Sequence, residues 1–216
     1  MSQVIRHRVM QCTAERCSLR FPVVEHDNRG LRCPRCGSPT VVGVGLYDEH
    51  KAPRCVADPD LPRIEVLLDN IRSVYNVGSI FRTADAAGIS RLHLCGITPT
   101  PQHPRLKKTA LGADESIPWD YSSSGLAAAA GLKARGLRLW ALEGGDRSES
   151  IFSCNPTLSL GPVALVIGNE VCGVDPAIIS LCERVIGIPM QGVKTSLNTA
   201  VAFGFAVFTM VHGTGP

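Results

Sequence analysis

From Ile64 onward, short apolar runs alternate with segments whose apolar positions recur every three or four residues. IEVLLD (64–69), RLHLCG (91–96), LRLWALEG (137–144), GPVALVIG (161–168) and RVIGIPM (184–190) have the length and composition of buried strands. Between them, NVGSIFRTADAAG predicts a helix ending at Gly88, and SGLAAAAGLKARG one closed by Gly136. DPAIISLCE predicts a helix with Asp175 as N-cap and Pro176 at its first position. A last helix is expected from Ser196, with Leu197, Ala200, Val201, Gly204, Phe205, Phe208 and Val211 forming one wide apolar face. Strand–helix alternation of this kind predicts an α/β domain with a mainly parallel sheet.

The first 45 residues break this pattern. They hold four of the nine cysteines and few long apolar runs. Seven arginines up to Cys36 (6, 8, 16, 20, 29, 32 and 35) face three acids, Glu15, Glu25 and Asp27. Tyr47 to Arg63 is rich in Pro and charge and reads as a linker. The expected organisation is a small module at 1–45, a linker at 46–62 and the α/β domain at 63–216.

Composition adds little beyond this. With 44% hydrophobic and 19% charged residues, the chain is globular rather than disordered. A net charge of +3 does not by itself establish a nucleic-acid partner. The longest apolar stretch, Ala200 to Val211, is too short for a membrane span. The N-terminus shows no secretory h-region, so a cytoplasmic location is expected. In that compartment cysteines serve as metal ligands or core thiols. Cys12-x4-Cys17 and Cys33-x2-Cys36 have the spacing of a zinc ribbon, four thiolates around one structural Zn2+. Cys55, Cys95, Cys154, Cys172 and Cys182 read as small hydrophobes.

Neither a dinucleotide-binding nor a P-loop glycine pattern is present. Three polar clusters carry the candidate chemistry instead. In the first, Asn76 precedes a helix it could cap, Gly78-Ser79 permits a close approach, and Arg82 lies on the polar side. In the second, an apolar strand runs into Gly168-Asn169-Glu170, where ligands of open α/β sheets collect. In the third, Lys194, Thr195, Ser196 and Asn198 crowd the start of the last helix. Ser196 or Thr195 could cap it, whereas Asn198 falls inside it. Lys194 there suits an incoming anion better than the helix dipole.

Together these motifs resemble the SpoU/TrmH family of RNA 2′-O-ribose methyltransferases, in the SPOUT superfamily. The resemblance spans Ile64 to Val211 and rests on Asn76-Val77-Gly78-Ser79-x-x-Arg82, Ile167-Gly168-Asn169-Glu170-x-x-Gly173, and Ile188-Pro189-Met190-x-Gly192-x-x-x-Ser196-Leu197-Asn198. It implies helices on both sheet faces, a C-terminal trefoil knot and a homodimer. It implies S-adenosyl-L-methionine bound by Leu142, Glu143, Gly144, Ile167, Gly168, Asn169, Ile188, Pro189, Met190, Ser196 and Leu197. The implied catalytic set is Arg82, Asn76, Glu170, Ser196 and Asn198, acting on a ribose 2′-hydroxyl of tRNA or rRNA. Arg82 would hold a phosphate and stabilise the developing alkoxide, oriented by Asn76 and Asn198. The competing readings are a base-modifying SPOUT enzyme and a zinc-ribbon RNA- or ribosome-binding protein with a non-catalytic SPOUT scaffold.

Overall fold

The computed structural model describes residues 5–48, 63–145, 148–153 and 161–212. Cys55, Cys154 and most of the expected linker lie outside them. The chain divides into two compact units, with the boundary after Val56.

In the first unit, β1 (Arg6–Cys12) pairs antiparallel with both β2 (Arg20–Val24) and β3 (Thr40–Asp48). A 3-10 turn at Asn28–Leu31 is capped by Asp27, whose carboxylate accepts from the Arg29 N–H. Only a few apolar side chains, Met10 among them, are buried here. So small a core is sufficient only with a covalent or metal staple.

The second unit is built on a seven-stranded sheet in the order β6-β5-β4-β9-β7-β10-β8. Its strands are β4 (Ile64–Asp69), β5 (Arg91–Cys95), β6 (Trp119–Ser122), β7 (Arg138–Leu142), β8 (Glu149–Ser150), β9 (Val163–Ile167) and β10 (Arg184–Gly187). All pairings are parallel. Because both faces are covered, β4 and β9 are buried along their whole length. On one face α1 (Val74–Ala86), α2 (Pro104–Ala110), α3 (Ala113–Ser116) and α6 (Thr199–His212) enclose a core with Phe81, Leu106 and Phe203. On the other, α4 (Gly125–Ala134) and α5 (Pro176–Ile179) pack Leu132 and Ile178 on Leu67 and Val166. β10 enters the sheet between β7 and β8, both earlier in the chain. Among the described residues no helix is long and apolar enough to cross a membrane.

One buried polar group on the α4 side is a charge network. The Glu65 carboxylate, 1% exposed, meets His93 Nε2 at 2.8 Å and Arg135 Nη2 at 3.0 Å. The other ring nitrogen of His93 faces Asp120 Oδ1 at 2.8 Å. Burial raises the Glu65 carboxyl, but His93 and Arg135 together outweigh it and hold it below the usual carboxylate range.

Several expected boundaries move. α1 starts at Val74, and its N-cap is Ser73, whose Oγ accepts from the Asn76 N–H. Asn76 therefore lies in the first turn, where its side chain is free for other partners. α6 starts at Thr199, and Asn198 is its cap, with Oδ1 accepting from the Ala200 and Val201 N–H groups. Neither Thr195 nor Ser196 caps it. The buried residues of α6 are Phe203, Ala206, Val207, Met210 and Val211; of the expected face only Val211 is among them, whereas Val201, Phe205 and Phe208 are exposed. A helix apolar on all sides gives no periodic signal for which side meets the sheet. Cys95 is buried and Cys182 half-buried, as a small hydrophobe should be, but Cys172 is exposed because it sits in the turn beyond β9.

Candidate active site

The sheet grows outward from β4 to β6 on one side and returns through β9 on the other. Ligands in open parallel sheets bind at such a reversal, beyond the carboxyl ends of the strands. Here the ends of β7, β9 and β10 surround a cavity of about 240 Å³. Leu142 ends β7 and Glu143 and Gly144 follow it, Ile167 ends β9 and Gly168 to Glu170 follow it, and Ile188, Met190, Ser196 and Leu197 lie beyond β10. Every residue expected to hold the cofactor lines this cavity except Pro189. That residue lines an adjoining cavity, which shares Gly144, Ile188, Met190 and Thr195 with the first. Gly173 and Thr195, named in the motifs but not expected to hold the cofactor, also line the main cavity, as do Val171, Thr199 and Ala202, which were not singled out in the sequence. IPM itself lies beyond the end of β10, not in a strand.

A tight turn forms the wall after β9. Asn169 and Gly173 exchange backbone hydrogen bonds at 3.0 and 2.9 Å. The Asn169 side-chain Oδ1 accepts from the Val171 and Cys172 N–H groups, and its Nδ2 donates to the Asn70 backbone carbonyl at 2.7 Å. A Cβ on Gly168 would lie 2.2 Å from the Gly173 carbonyl carbon and the Val174 nitrogen, so only glycine fits. Glu143 reaches across, and its Oε2 accepts from the Val174 N–H at 2.9 Å. Asn70, missed in the sequence, holds a left-handed conformation with φ 57°. Its Oδ1 accepts from Ile97 N, and its Nδ2 donates to Asp69. An Asn immediately after a strand was the available signal.

At the cavity wall, Glu170 ties the turn after β9 to the start of α1. Its Oε2 accepts from Arg72 N at 2.8 Å, and its Oε1 accepts from Ser73 N at 3.0 Å and Asn76 Nδ2 at 2.9 Å. The Asn76 Oδ1 accepts in turn from Asn198 Nδ2 at 3.1 Å. Burial pushes the Glu170 carboxyl up. The Arg72 and Ser73 N–H groups and the Asn76 amide outweigh that effect and hold it below the usual range. Glu170 is thus an ionised carboxylate at the N-terminus of α1, where the helix dipole also favours it.

Arg82 stands apart. It is exposed on α1 and has no hydrogen-bond or ion-pair partner among the described residues, so within one chain neither Asn76 nor Asn198 orients it. Lys194 is likewise exposed, in the loop before α6. Gly78 serves helix packing rather than a ligand, since a Cβ there would lie 2.5 Å from Thr109 Cβ on α2.

In the first unit the four sulfurs of Cys12, Cys17, Cys33 and Cys36 lie within 4.8 Å of one another. Cys12 and Cys36 are 3.5 Å apart, and Cys17 and Cys33 3.7 Å. Tetrahedral Zn–S bonds of about 2.3 Å require sulfurs roughly 3.8 Å apart, so the set fits zinc. Hydrogen bonds from Ser38 lower the Cys36 thiol to about 6. At Cys12 the Ala14 N–H acts downward, but burial and the neighbouring thiols push the group up to about 12.

The model of the SpoU rRNA Methylase family matches residues 63–208. The 23S rRNA (guanosine-2′-O-)-methyltransferase RlmB of Photorhabdus laumondii is 32% identical over 173 residues, covering 77% of this chain and 66% of its own length. This chain therefore spans just under two thirds of that relative. Among solved structures, the SpoU methyltransferase AviRb of Streptomyces viridochromogenes, in complex with AdoMet, is 27% identical, with a TM-score of 0.62 over 80% of this chain and 68% of that one. The TrmH/SpoU tRNA modifying enzyme of A. aeolicus is 26% identical, with a TM-score of 0.61 over 69% of this chain and 75% of that one. With the family match covering the whole parallel sheet and each of the three polar clusters, this chain belongs to the SpoU rRNA methylase family, and its second unit has the α/β SPOUT fold.

Proposed function

We propose that this chain methylates a ribose 2′-hydroxyl of RNA, using S-adenosyl-L-methionine. The observation that carries the reading is one cavity lined by residues from all three strand ends, with the Glu170–Asn76–Asn198 chain at its side. The residues present suit a nucleoside bearing a cation. Leu142, Ile188, Met190 and Leu197 give apolar walls, Glu143 gives a carboxylate, and a Cβ at Gly144 would meet open space. The bound cofactor supplies an electrophilic methyl on a sulfonium. RNA rather than DNA follows from the target hydroxyl.

The chain's own residues would orient and stabilise. Glu170 has its oxygens committed to three donors, so it anchors the site rather than taking a proton. Asn76 and Asn198 fix the starts of α1 and α6 about it. Ser196, lining the cavity, would contact cofactor or substrate. Arg82 cannot act as a base, because guanidinium stays protonated. Exposed and without a partner among the described residues, it would grip the phosphate beside the target ribose and stabilise the alkoxide as the proton passes to a phosphate oxygen or water. That role would be played at the pocket of a second copy. Phe205, Phe208 and Val201 of α6 present an apolar patch, with Phe152 edge-on to Phe205 at 5.5 Å, that a homodimer would cover. The first unit would carry a structural Zn2+ on Cys12, Cys17, Cys33 and Cys36.

The test is transfer of labelled methyl to unmodified rRNA and tRNA, followed by mapping of the product. A ribose-methylated nucleotide in either RNA is the expected result. Cofactor binding without transfer to either would overturn the enzymatic reading, and methyl on a base would move it to a base-modifying enzyme.

A further inference from the structure

The three-stranded sheet of the first unit has two unlike faces. Met10 lies opposite Phe21 and Val42, and Cys12 opposite Thr40. Met10 and Cys12 are buried and Gly30 packs against Val23, so this side is covered over β1 and β2, while Val42 on β3 stays 54% exposed. The other side holds His7 opposite Val24 and Tyr47, Val9 opposite Val44, and Gln11 opposite Arg20 and Val41. No residue of this second face is buried. Val24, Val41 and Val44 are 43%, 54% and 47% exposed, an apolar surface open to a partner.

Three observations say what kind of partner. At one end of the face the rings of His7 and Tyr47 stack, with centroids 5.9 Å apart and planes inclined by 30°. At the other end Arg20 donates to Gln11 Oε1 at 2.9 Å, and its guanidinium lies against Gly43, 3.5 Å from where a Cβ would stand. Strand rise over the four residues from His7 to Gln11 separates the two ends by roughly 13 Å. The charge balance is one-sided as well. Glu25 is paired with Arg6 at 2.9 Å and Asp27 with Arg29 at 2.7 Å, leaving Glu15 and Asp48 as the acids of this unit without a cation partner among the described residues. Arg16, Arg20, Arg32 and Arg35 have no carboxylate partner among the described residues. Valines alone would suit a protein partner. Stacked rings, a flat cation across the sheet and unpaired arginines suit a polyanion with exposed bases.

We propose that this open face binds a single-stranded segment of the RNA substrate, with bases on the His7–Tyr47 pair and a phosphate at Arg20. The proposal rests on RNA being the substrate, and its test separates the two readings. The full chain is titrated into a fluorescein-labelled, unstructured 12-nucleotide RNA, and S-adenosylmethionine binding and methyl transfer to rRNA and tRNA are measured alongside. Tyr47→Ala and Arg20→Gln should each weaken oligonucleotide binding by about fivefold or more, and Val44→Glu should weaken it further, with cofactor affinity unchanged. The salt dependence of binding should be shallower for Arg20→Gln. Oligonucleotide affinity within twofold of the unmodified chain in all three variants, with zinc content retained, would overturn the proposal. A protein, or a second copy, captured on this face in place of RNA would overturn it too. Sensitive oligonucleotide binding without methyl transfer to any RNA would leave this face standing and sink the enzymatic reading instead.

Discussion

Asn198 Nδ2 donates to Asn76 Oδ1 at 3.1 Å, so the cap of α6 holds the first turn of α1. Asn198 caps α6 with one end of its amide and reaches Asn76 with the other. Asn76→Ala breaks this contact and removes one of three donors from Glu170. It should cost about 1–2 kcal/mol in urea denaturation. Asn198→Ala should cost about 1 kcal/mol through the cap alone. A double-mutant cycle should show coupling of about 0.5 kcal/mol or more; strict additivity would refute the link.

Arg82 predicts the opposite split between stability and activity. It is exposed and unpartnered in the described chain, so Arg82→Ala should change stability by less than about 0.5 kcal/mol and leave cofactor binding intact. Methyl transfer should fall by about 10²-fold or more. Arg82→Lys should restore it only partly, since a lysine lacks the planar fork. Transfer at the unmodified rate in Arg82→Ala would remove the role assigned to it.

Acid should loosen the site in a defined direction. Glu170 and Glu65 both have folded-state values below the ordinary 4.5. Their stabilisation is therefore complete above about pH 5 and is lost as pH falls through those lowered values. Asp69 opposes them: burial raises its carboxyl and outweighs the hydrogen bonds from the Asp175 backbone and Asn70, so it favours folding on protonation. In urea midpoints measured from about pH 6 to pH 3, Glu170→Gln should give a shallower fall than the unmodified chain. An unchanged acid limb would show that Glu170 does not carry this linkage.

Metal removal should act on the first unit. A strong chelator, or Cys33→Ser, should abolish zinc binding and the order of β1–β3, because so small a core depends on its staple. S-adenosylmethionine affinity, read by calorimetry, should stay within about twofold, since its cavity is lined only by residues of the second unit. Metal analysis finding no zinc in freshly prepared protein would remove the four-thiolate site.

The strands of the second unit were legible because β4 and β9, buried on both faces, leave continuous apolar runs in the sequence. Of the cavity lining, Gly168-Asn169-Glu170 was legible from its place at the end of a strand, and most of the rest only through the family motifs, because backbone and small residues supply much of it. Helix starts were not legible where two polar residues compete to cap. Ser73 and Asn76 stand three apart, as do Thr195 and Asn198, and tertiary partners decide between them. β6 is a short strand with only one strand partner, and α2 and α3 are helices of seven and four residues. Segments that brief carry too few periods to register. The Asn70 contact to Asn169 joins positions 99 residues apart, and no local pattern encodes it.

Gly168 separates cofactor binding from any direct contact of its side chain. The glycine lies where β9 turns into the cavity wall, and the chain folds back so that Gly173 and Val174 pass directly over it. In Gly168→Ala the new methyl would meet backbone atoms at 2.2 Å, with no flexible side chain to move aside. The 169–173 turn must then shift. That breaks the Asn169–Gly173 pair and pulls Val174 N from Glu143. The cost should be about 2–3 kcal/mol, as for other overpacked sites, with cofactor affinity reduced at least tenfold. Gly144→Ala is the control, since a Cβ there meets nothing within the protein. It should keep stability within about 0.5 kcal/mol, and any loss of affinity would then report contact with the cofactor itself. Equal stabilities for the two variants would refute the close backbone crossing at Gly168.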